Sequence, residues 1–310
     1  MILERKVVCT IDTLEIIPTN YTMKPKSKNL LCACTLSAFA LSAPNASAAS
    51  IFTDSFGDGT LGNTIDINTN IPARQTGTTT TYTMSGANNV AHVSNSDGVT
   101  TSNNMARLRN NEQVPTGGSN GFLSADTNYS MLAGTNYSFS FDLLYNKRLT
   151  GSTDQWVSFS LGDTAGQAGP NNTASDFGML LRPDGVGNAN DQLARFYSDN
   201  VFSTGKDFTT TPSFDSSYVT FLINVNETAI GGPTVSVTAG ATSILSDFAI
   251  DFEGTDRYFS FGTHLGSNAA VTATDFSDLY IDNLSITSIP EPSAVLLGCF
   301  GMLALLRRRR

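Results

Sequence analysis

Between residues 49 and 289 the chain has no cysteine; its four, Cys9, Cys32, Cys34 and Cys299, lie nearer the two ends. Disulfides, thiolate metal centres and cysteine nucleophiles are therefore excluded from the central segment. A segment of that length can bury a sufficient core without covalent staples. Lysine is nearly absent from it as well, at Lys147 and Lys206 only, and glutamate occurs at Glu112, Glu227 and Glu253 alone, against 20 aspartates. The charged residues that favour helices are thus scarce, and Gly, Ser, Thr, Asn and Asp take their place. Nine Lys/Arg against 23 Asp/Glu give this segment a net charge of −14, compared with −9 for the whole chain. Such an excess of acid argues against partners that are nucleic acid or anionic membrane, and suits solubility and cation binding. No G-x-S-x-G, H-E-x-x-H or phosphate-binding glycine loop occurs. The three glutamates form no E-x-D-x-x-E pair of the kind that acid–base work on a glycosidic bond requires. The motifs therefore point away from an enzyme.

Both ends read as address labels. Lys24, Lys26 and Lys28 precede an apolar run over residues 30–43, and Ala46-Ser47-Ala48 follows. These are the parts of a secretory signal peptide, with Ala46 and Ala48 as the small residues of the A-x-A pattern and cleavage by signal peptidase after Ala48. Residues 1–22 carry Glu4, Asp12 and Glu15, which do not belong in a basic leader. The simplest account is an over-extended N-terminus ahead of a true start at Met23; a cytoplasmic peptide before an internal signal is the alternative. Cys34 falls near the beginning of the apolar run and not at its end, which argues against a lipoprotein signal. The expected organisation is 1–22 over-extended, 23–48 signal peptide, 49–288 domain and 289–310 tail.

Period-2 alternation dominates the domain. Large apolar residues take every second place in Tyr137-Ser138-Phe139-Ser140-Phe141-Asp142-Leu143 and in Trp156-Val157-Ser158-Phe159-Ser160-Leu161. The same holds over residues 218–225, 234–237 and 258–261. Such runs bury one face and expose the other, as antiparallel strands do. Turn clusters separate them, among them Gly162-Asp163, Pro183-Asp184-Gly185 and Ile230-Gly231-Gly232-Pro233. No 3.6-residue period and no fixed-period repeat is visible, so the expectation is one all-β antiparallel sandwich of about a dozen strands.

The domain opens with Ile51-Phe52-Thr53-Asp54-Ser55-Phe56-Gly57-Asp58-Gly59 and closes with Asp278-Leu279-Tyr280-Ile281-Asp282-Asn283-Leu284-Ser285-Ile286-Thr287. An opening F-x-D-x-F with a closing Y-I-D-N-L-S-I resembles concanavalin A-like and related carbohydrate-binding jelly rolls over residues 51–287. The resemblance implies that the first and last strands lie side by side. It also implies a structural calcium at Asp54, Asp58 and Asp282, since clustered carboxylate oxygens suit a hard cation. Residues 184–191 form a second oxygen-rich loop, without EF-hand spacing. Ordinary turn chemistry is the commoner explanation of either group.

After Ile289 come Pro290-Glu291-Pro292, an apolar run over residues 294–306, and Arg307, Arg308, Arg309 and Arg310. This resembles the PEP-CTERM sorting signal of Gram-negative bacteria, which exosortases recognise and cleave. Prolines hold the approach to the helix extended, and the arginines stay cytoplasmic. Thirteen apolar residues span roughly 20 Å against a hydrocarbon core of about 30 Å. The tail is thus expected to insert in the inner membrane transiently, a permanent anchor being the alternative.

Candidate chemistry is sparse. Asp251-Phe252-Glu253 places two acids close together without a hydrolase motif, and reads as a solvated strand end. His92 and His264 are the only histidines; a lyase could use one with a tyrosine, though structural histidines are commoner. The threonine run over residues 76–81 lacks the ladder an ice-binding array needs. By parity Trp156, Tyr218 and Tyr258 fall opposite the core-facing residues, on polar strand faces where sugar rings could stack. The reading is an exported surface or extracellular-matrix protein, cut by signal peptidase and exosortase, binding polysaccharide without cleaving it. Alternatives are a polysaccharide-degrading glycosidase or lyase, and a structural coat protein.

Overall fold

Every segment with apolar–polar alternation becomes a strand. The computed structural model describes residues 48–57, 65–85, 89–94, 105–111, 121–125, 127–146, 155–165, 175–183, 192–199, 201–265 and 276–289. All of them belong to one compact unit, Ala46–Pro292. The expected signal-peptide and sorting-tail residues lie outside the described residues, save the exposed Ala48 and Ile289.

In chain order the strands are β1 (Ala49–Asp54), β2 (Ile65–Asp66), β3 (Gln75–Gly77), β4 (Tyr82–Ser85), β5 (Asn89–Ser94) and β6 (Met105–Asn111). Next come β7 (Gly121–Ala125), β8 (Asn136–Asn146), β9 (Gln155–Gly162), β10 (Phe177–Arg182), β11 (Gln192–Ser198) and β12 (Val201–Phe208). The set closes with β13 (Val219–Asn226), β14 (Thr234–Ala239), β15 (Thr242–Ala249), β16 (Tyr258–Leu265) and β17 (Phe276–Ile289). Helix among the described residues is confined to one four-residue turn, Ile71–Arg74, and a 3-10 turn at Ser130–Leu132. The count exceeds the dozen expected because β2, β3 and β4 are two to four residues long, too short to display a period.

The strands form two antiparallel sheets, the expected sandwich. One runs β15-β14-β13-β8-β17-β6-β5-β2, with β1 pairing β17 and β3; the other runs β12-β11-β10-β9-β16-β7-β4. First and last strands do lie side by side, Ala49 opposite Ser288 and Asp54 opposite Leu284. The N-terminal half of β17 pairs β6 and its C-terminal half pairs β1, with a register shift against β8 between Asp282 and Ser285. Asn283 takes φ 51 there, a conformation that asparagine tolerates better than most residues.

Inward-pointing aromatics fill the space between the sheets. Phe139 and Phe141 of β8 meet Phe159 of β9 and Phe259 and Phe261 of β16, with centroid separations of 4.9–5.8 Å. Most of these pairs are edge-to-face, the arrangement ring quadrupoles favour. All five rings are essentially inaccessible to water.

Candidate functional site

The parity that sends Phe221, Ile223 and Val225 inward sends Asn224 and Asn226 outward. Strand register then assembles two polar rows across the outer face of the ten-stranded sheet. One row reads Ile289, Asn136, Asn226, Thr234. The other, two residues along, reads Thr287, Ser138, Asn224, Ser236. A bulge between β14 and β15 at Val235/Val237 adds Asp247 beside Ser236, whose Oγ accepts the Asp247 N–H at 2.9 Å. Asp247 takes φ 47, and bulges characteristically re-aim a side chain in this way.

These residues line a groove of about 320 Å³. From the turn after β13, Thr228 donates through its backbone N–H and its hydroxyl to the amide oxygens of Asn136 and Asn226, at 3.1–3.3 Å. Those contacts fix the two amides and leave their NH₂ groups as donors. The side-chain amide of Asn224 makes no hydrogen bond among the described residues, so both of its ends are available. Among the described residues the lining thus offers amide donors, hydroxyls and one carboxylate, with the exposed Ile289 as an apolar edge. No lysine or arginine lines it among the described residues.

The opening motif has a different use from the calcium ligation expected of it. Asp54 is fully buried and belongs to an internal network. Its carboxylate accepts from the Phe56 N–H at 2.7 Å, Gln75 Nε2 at 2.9 Å and the Tyr82 hydroxyl at 2.9 Å. It also pairs with Arg74 Nε at 3.3 Å. Burial first, and then the Asp54 charge, hold the Tyr82 phenol well above the ordinary tyrosine range. Asp282 stands at the β17 register shift and accepts its neighbour's N–H, from Asn283, at 2.7 Å, while Asp58 lies outside the described residues. Asp54 is therefore removed from the proposed cation set: an inward carboxylate already neutralised by a guanidinium has no vacancy for an ion. Among the described residues no three His, Cys, Asp or Glu side chains stand together as a metal cage.

The three aromatics expected to receive sugar do not share a face. Parity holds for each, since all three point away from the inter-sheet core. Tyr218, however, immediately precedes β13 of the ten-stranded sheet and packs on Met105, Leu144 and Tyr280. Trp156 and Tyr258 lie on the other sheet, at opposite ends of the β9–β16 pair, opposite His264 and Gly162 respectively. Trp156 is also only 8% exposed. Leu180, Leu193 and Tyr197 pack around it, and the guanidiniums of Arg182 and Arg195 lie 4.9 and 4.7 Å from its ring centroid. Its ring is covered by neighbours from β10 and β11, so a common stacking platform does not exist.

The remaining sequence candidates are scattered. Asp251 and Glu253 are exposed in the connection after β15, with Phe252 half-buried against Arg257. Glu227 is tied to Arg257 through Nε at 2.7 Å and Nη2 at 3.0 Å. Residues 184–191 and Glu112 lie outside the described residues. His92 and His264 fall on β5 and β16. Sequence reasoning missed the Asn136–Asn224–Asn226–Asp247 group. Outward Asn224 and Asn226 were visible in the I-N-V-N alternation, but nothing local marks the bulge that delivers Asp247.

The chain matches no protein-family model and no curated protein. Among solved structures it is similar to the metal-free carbohydrate recognition domain of Emp46p, at 13% identity and a TM-score of 0.44, covering 66% of this chain and 87% of that one. It is similar also to the endo-β-1,4-glucuronan lyase of the fungus Trichoderma reesei, at 8% identity and 0.43, covering 78% and 96%. A third is the binding domain of botulinum neurotoxin serotype D/C, at 11% and 0.46, covering 80% and 51%. At such identities and scores the function has to be argued from the chain's own geometry.

Proposed function

We propose that the sandwich is a non-catalytic polysaccharide-binding domain, carried to the cell surface or matrix by the two end segments. The observation that supports this is the groove on the outer face of the ten-stranded sheet. Vicinal sugar hydroxyls need acceptors and donors interleaved at close spacing, and a carboxylate flanked by asparagine amides provides both. Strands hold these groups more rigidly than loops would, so little ordering entropy is spent on binding. Among the described residues the lining carries one carboxylate, whereas glycosidic hydrolysis uses two carboxyl groups about 5–10 Å apart. Asp247, with no cation beside it among the described lining residues, favours neutral glycans over uronates.

Export supports the same reading. The A-x-A site ending at Ala48 and the tail of Pro290, Glu291, Pro292, apolar run and Arg307 to Arg310 match a route through signal peptidase and then exosortase. The tail inserts transiently in the inner membrane and is removed, leaving an acidic domain on the outside.

A lyase reading draws on one observation, the Arg182–Arg195 pair around Trp156 on the other sheet, a setting suited to an anionic sugar. It predicts unsaturated products from uronate polymers, and their appearance would replace the binding proposal.

The test is affinity on a panel of neutral and anionic polysaccharides. Asp247→Ala should weaken binding of the best neutral ligand by roughly 10- to 100-fold, the loss of hydrogen bonds to a charged acceptor. Asp247 is exposed, so stability should fall only by the modest backbone cost of alanine at φ 47. Trp156→Ala, on the opposite sheet, serves as the control and should leave that affinity in place. Unchanged binding in an Asp247→Ala, Asn224→Ala double variant would sink the assignment.

A further inference from the structure

The groove on the ten-stranded sheet takes lining residues from five strands: Ile289 from β17, Asn136 from β8, Asn226 from β13, Thr234 from β14 and Asp247 from β15. These strands are neighbours in the sheet. The groove therefore runs across them over four strand spacings of about 4.8 Å, roughly 19 Å in all. Adjacent strands rotate about an axis along this same direction, so sheet twist leaves the run nearly straight. Its floor is Val225, whose side chain is buried in the core and which offers the groove only backbone. On one side of Val225 stands the row that contains Asn136 and Asn226, and on the other the row that contains Ser138 and Asn224. The two rows are two residues apart along each strand, about 6.6 Å. Neither end is walled. β15 is the outermost strand of the sheet, and Asp247 on it is exposed. Beyond β17 lies β1, where Ala49 and Ser50 oppose Ser288 and Thr287; both are small and exposed. Among the described residues no aromatic ring lines the groove.

A slot open at both ends admits the middle of a chain, whereas capture of a chain end needs a wall that meets the terminal ring. A sugar ring lying over the Val225 backbone turns one edge to each row, where amides and hydroxyls both donate and accept. A branch on either edge would run into a strand side chain. Without an aromatic ring to stack on, each sugar contributes only its own hydrogen bonds, which are individually modest. Affinity must therefore accumulate over several units. We propose that the groove holds the interior of an unbranched neutral polysaccharide running across the strands, with β1 and the β15 edge as its two exits. Such selectivity presupposes that the groove is the glycan site.

The experiment is calorimetric titration of the purified full chain with oligosaccharides of one to six units, cut from the neutral polymer it binds best. Affinity should climb about 100-fold from the mono- to the tetrasaccharide as hydrogen-bonded contacts accumulate. It should level off at about five units, because five strands supply the lining at a spacing of about 4.8 Å. Reducing the terminal ring of the hexasaccharide with borohydride should leave its affinity unchanged. A polymer branched at alternate units should bind about tenfold more weakly or worse, since its substituents meet the rows. Asn136→Ala on β8 and Asp247→Ala on β15, measured well below each variant's melting temperature, should each weaken the pentasaccharide about fivefold or more. The two losses should multiply in the double variant, as they do for sites that share no partner. A monosaccharide held as tightly as the hexasaccharide, or a hexasaccharide weakened by terminal reduction, would overturn interior recognition while leaving the groove as the glycan site. Absence of binding at every length would overturn both.

Discussion

Arg74→Ala should destabilise the fold by about 3–5 kcal/mol, the cost of leaving a buried charge without its partner. Arg74 and Asp54 have no side-chain exposure at all. The arginine Nη2 donates to the Ile67 carbonyl, and the guanidinium lies 5.6 Å from the Phe56 ring centroid. Truncation therefore removes an ion pair, a backbone contact and packing together. Asp54 would keep its three hydrogen bonds from Phe56, Gln75 and Tyr82 but lose its compensating cation. Denaturant unfolding should show a lower midpoint at unchanged slope, since the surface exposed on unfolding stays the same. A double replacement, Asp54→Asn with Arg74→Met, should recover more than half of the loss, because removing both charges avoids the orphaned one. If Arg74→Ala costs less than about 1 kcal/mol, the pair is only a surface-type contact and the account of the opening motif is wrong.

Gly77→Ala is the second large effect, expected at about 3 kcal/mol. Gly77 has φ +85, a left-handed value that costs an L-residue about 1–2 kcal/mol. It also pairs with Phe52 across β1 and β3, and an added methyl would overlap the Ile51 carbonyl. Backbone cannot rotate aside as a side chain does, so β3 must move off β1, with the 1–3 kcal/mol typical of overpacking added. Gly231→Ala is the matched control: φ is +103, yet nothing lies within 4 Å. It should cost only the backbone part. Equal midpoints for the two variants would show that the β1–β3 approach is not as close as described.

The strands were legible because parity is insensitive to long-range detail. Phe139 and Phe141, or Val157, Phe159 and Leu161, face inward wherever their strands are placed. Parity also held a signal about Asp54 that composition obscured. Phe52, Asp54 and Phe56 occupy alternate positions, so an inward Phe52 and Phe56 require an inward Asp54. The matching cation, Arg74, stands 20 residues further on, and no local rule connects them. For Trp156 parity gave the correct face but not its exposure. Leu180, Arg182, Leu193 and Arg195 cover it from two strands that follow in sequence, and their arrangement depends on the β9–β10–β11 register. Asp247 was illegible for a related reason, since a register shift is a property of the paired strands and not of either one.

The side-by-side pairing of β1 with β17 has a mechanical consequence. Ala49 and Ser288 face each other at the same end of an antiparallel pair. A load applied between the two flanks of the domain would act across the strands and peel them apart one rung at a time, instead of shearing all the hydrogen bonds together. That is the weak direction of a sheet. A chain held by one flank alone carries no such load, so fastening this domain through a single end protects the seam that closes it.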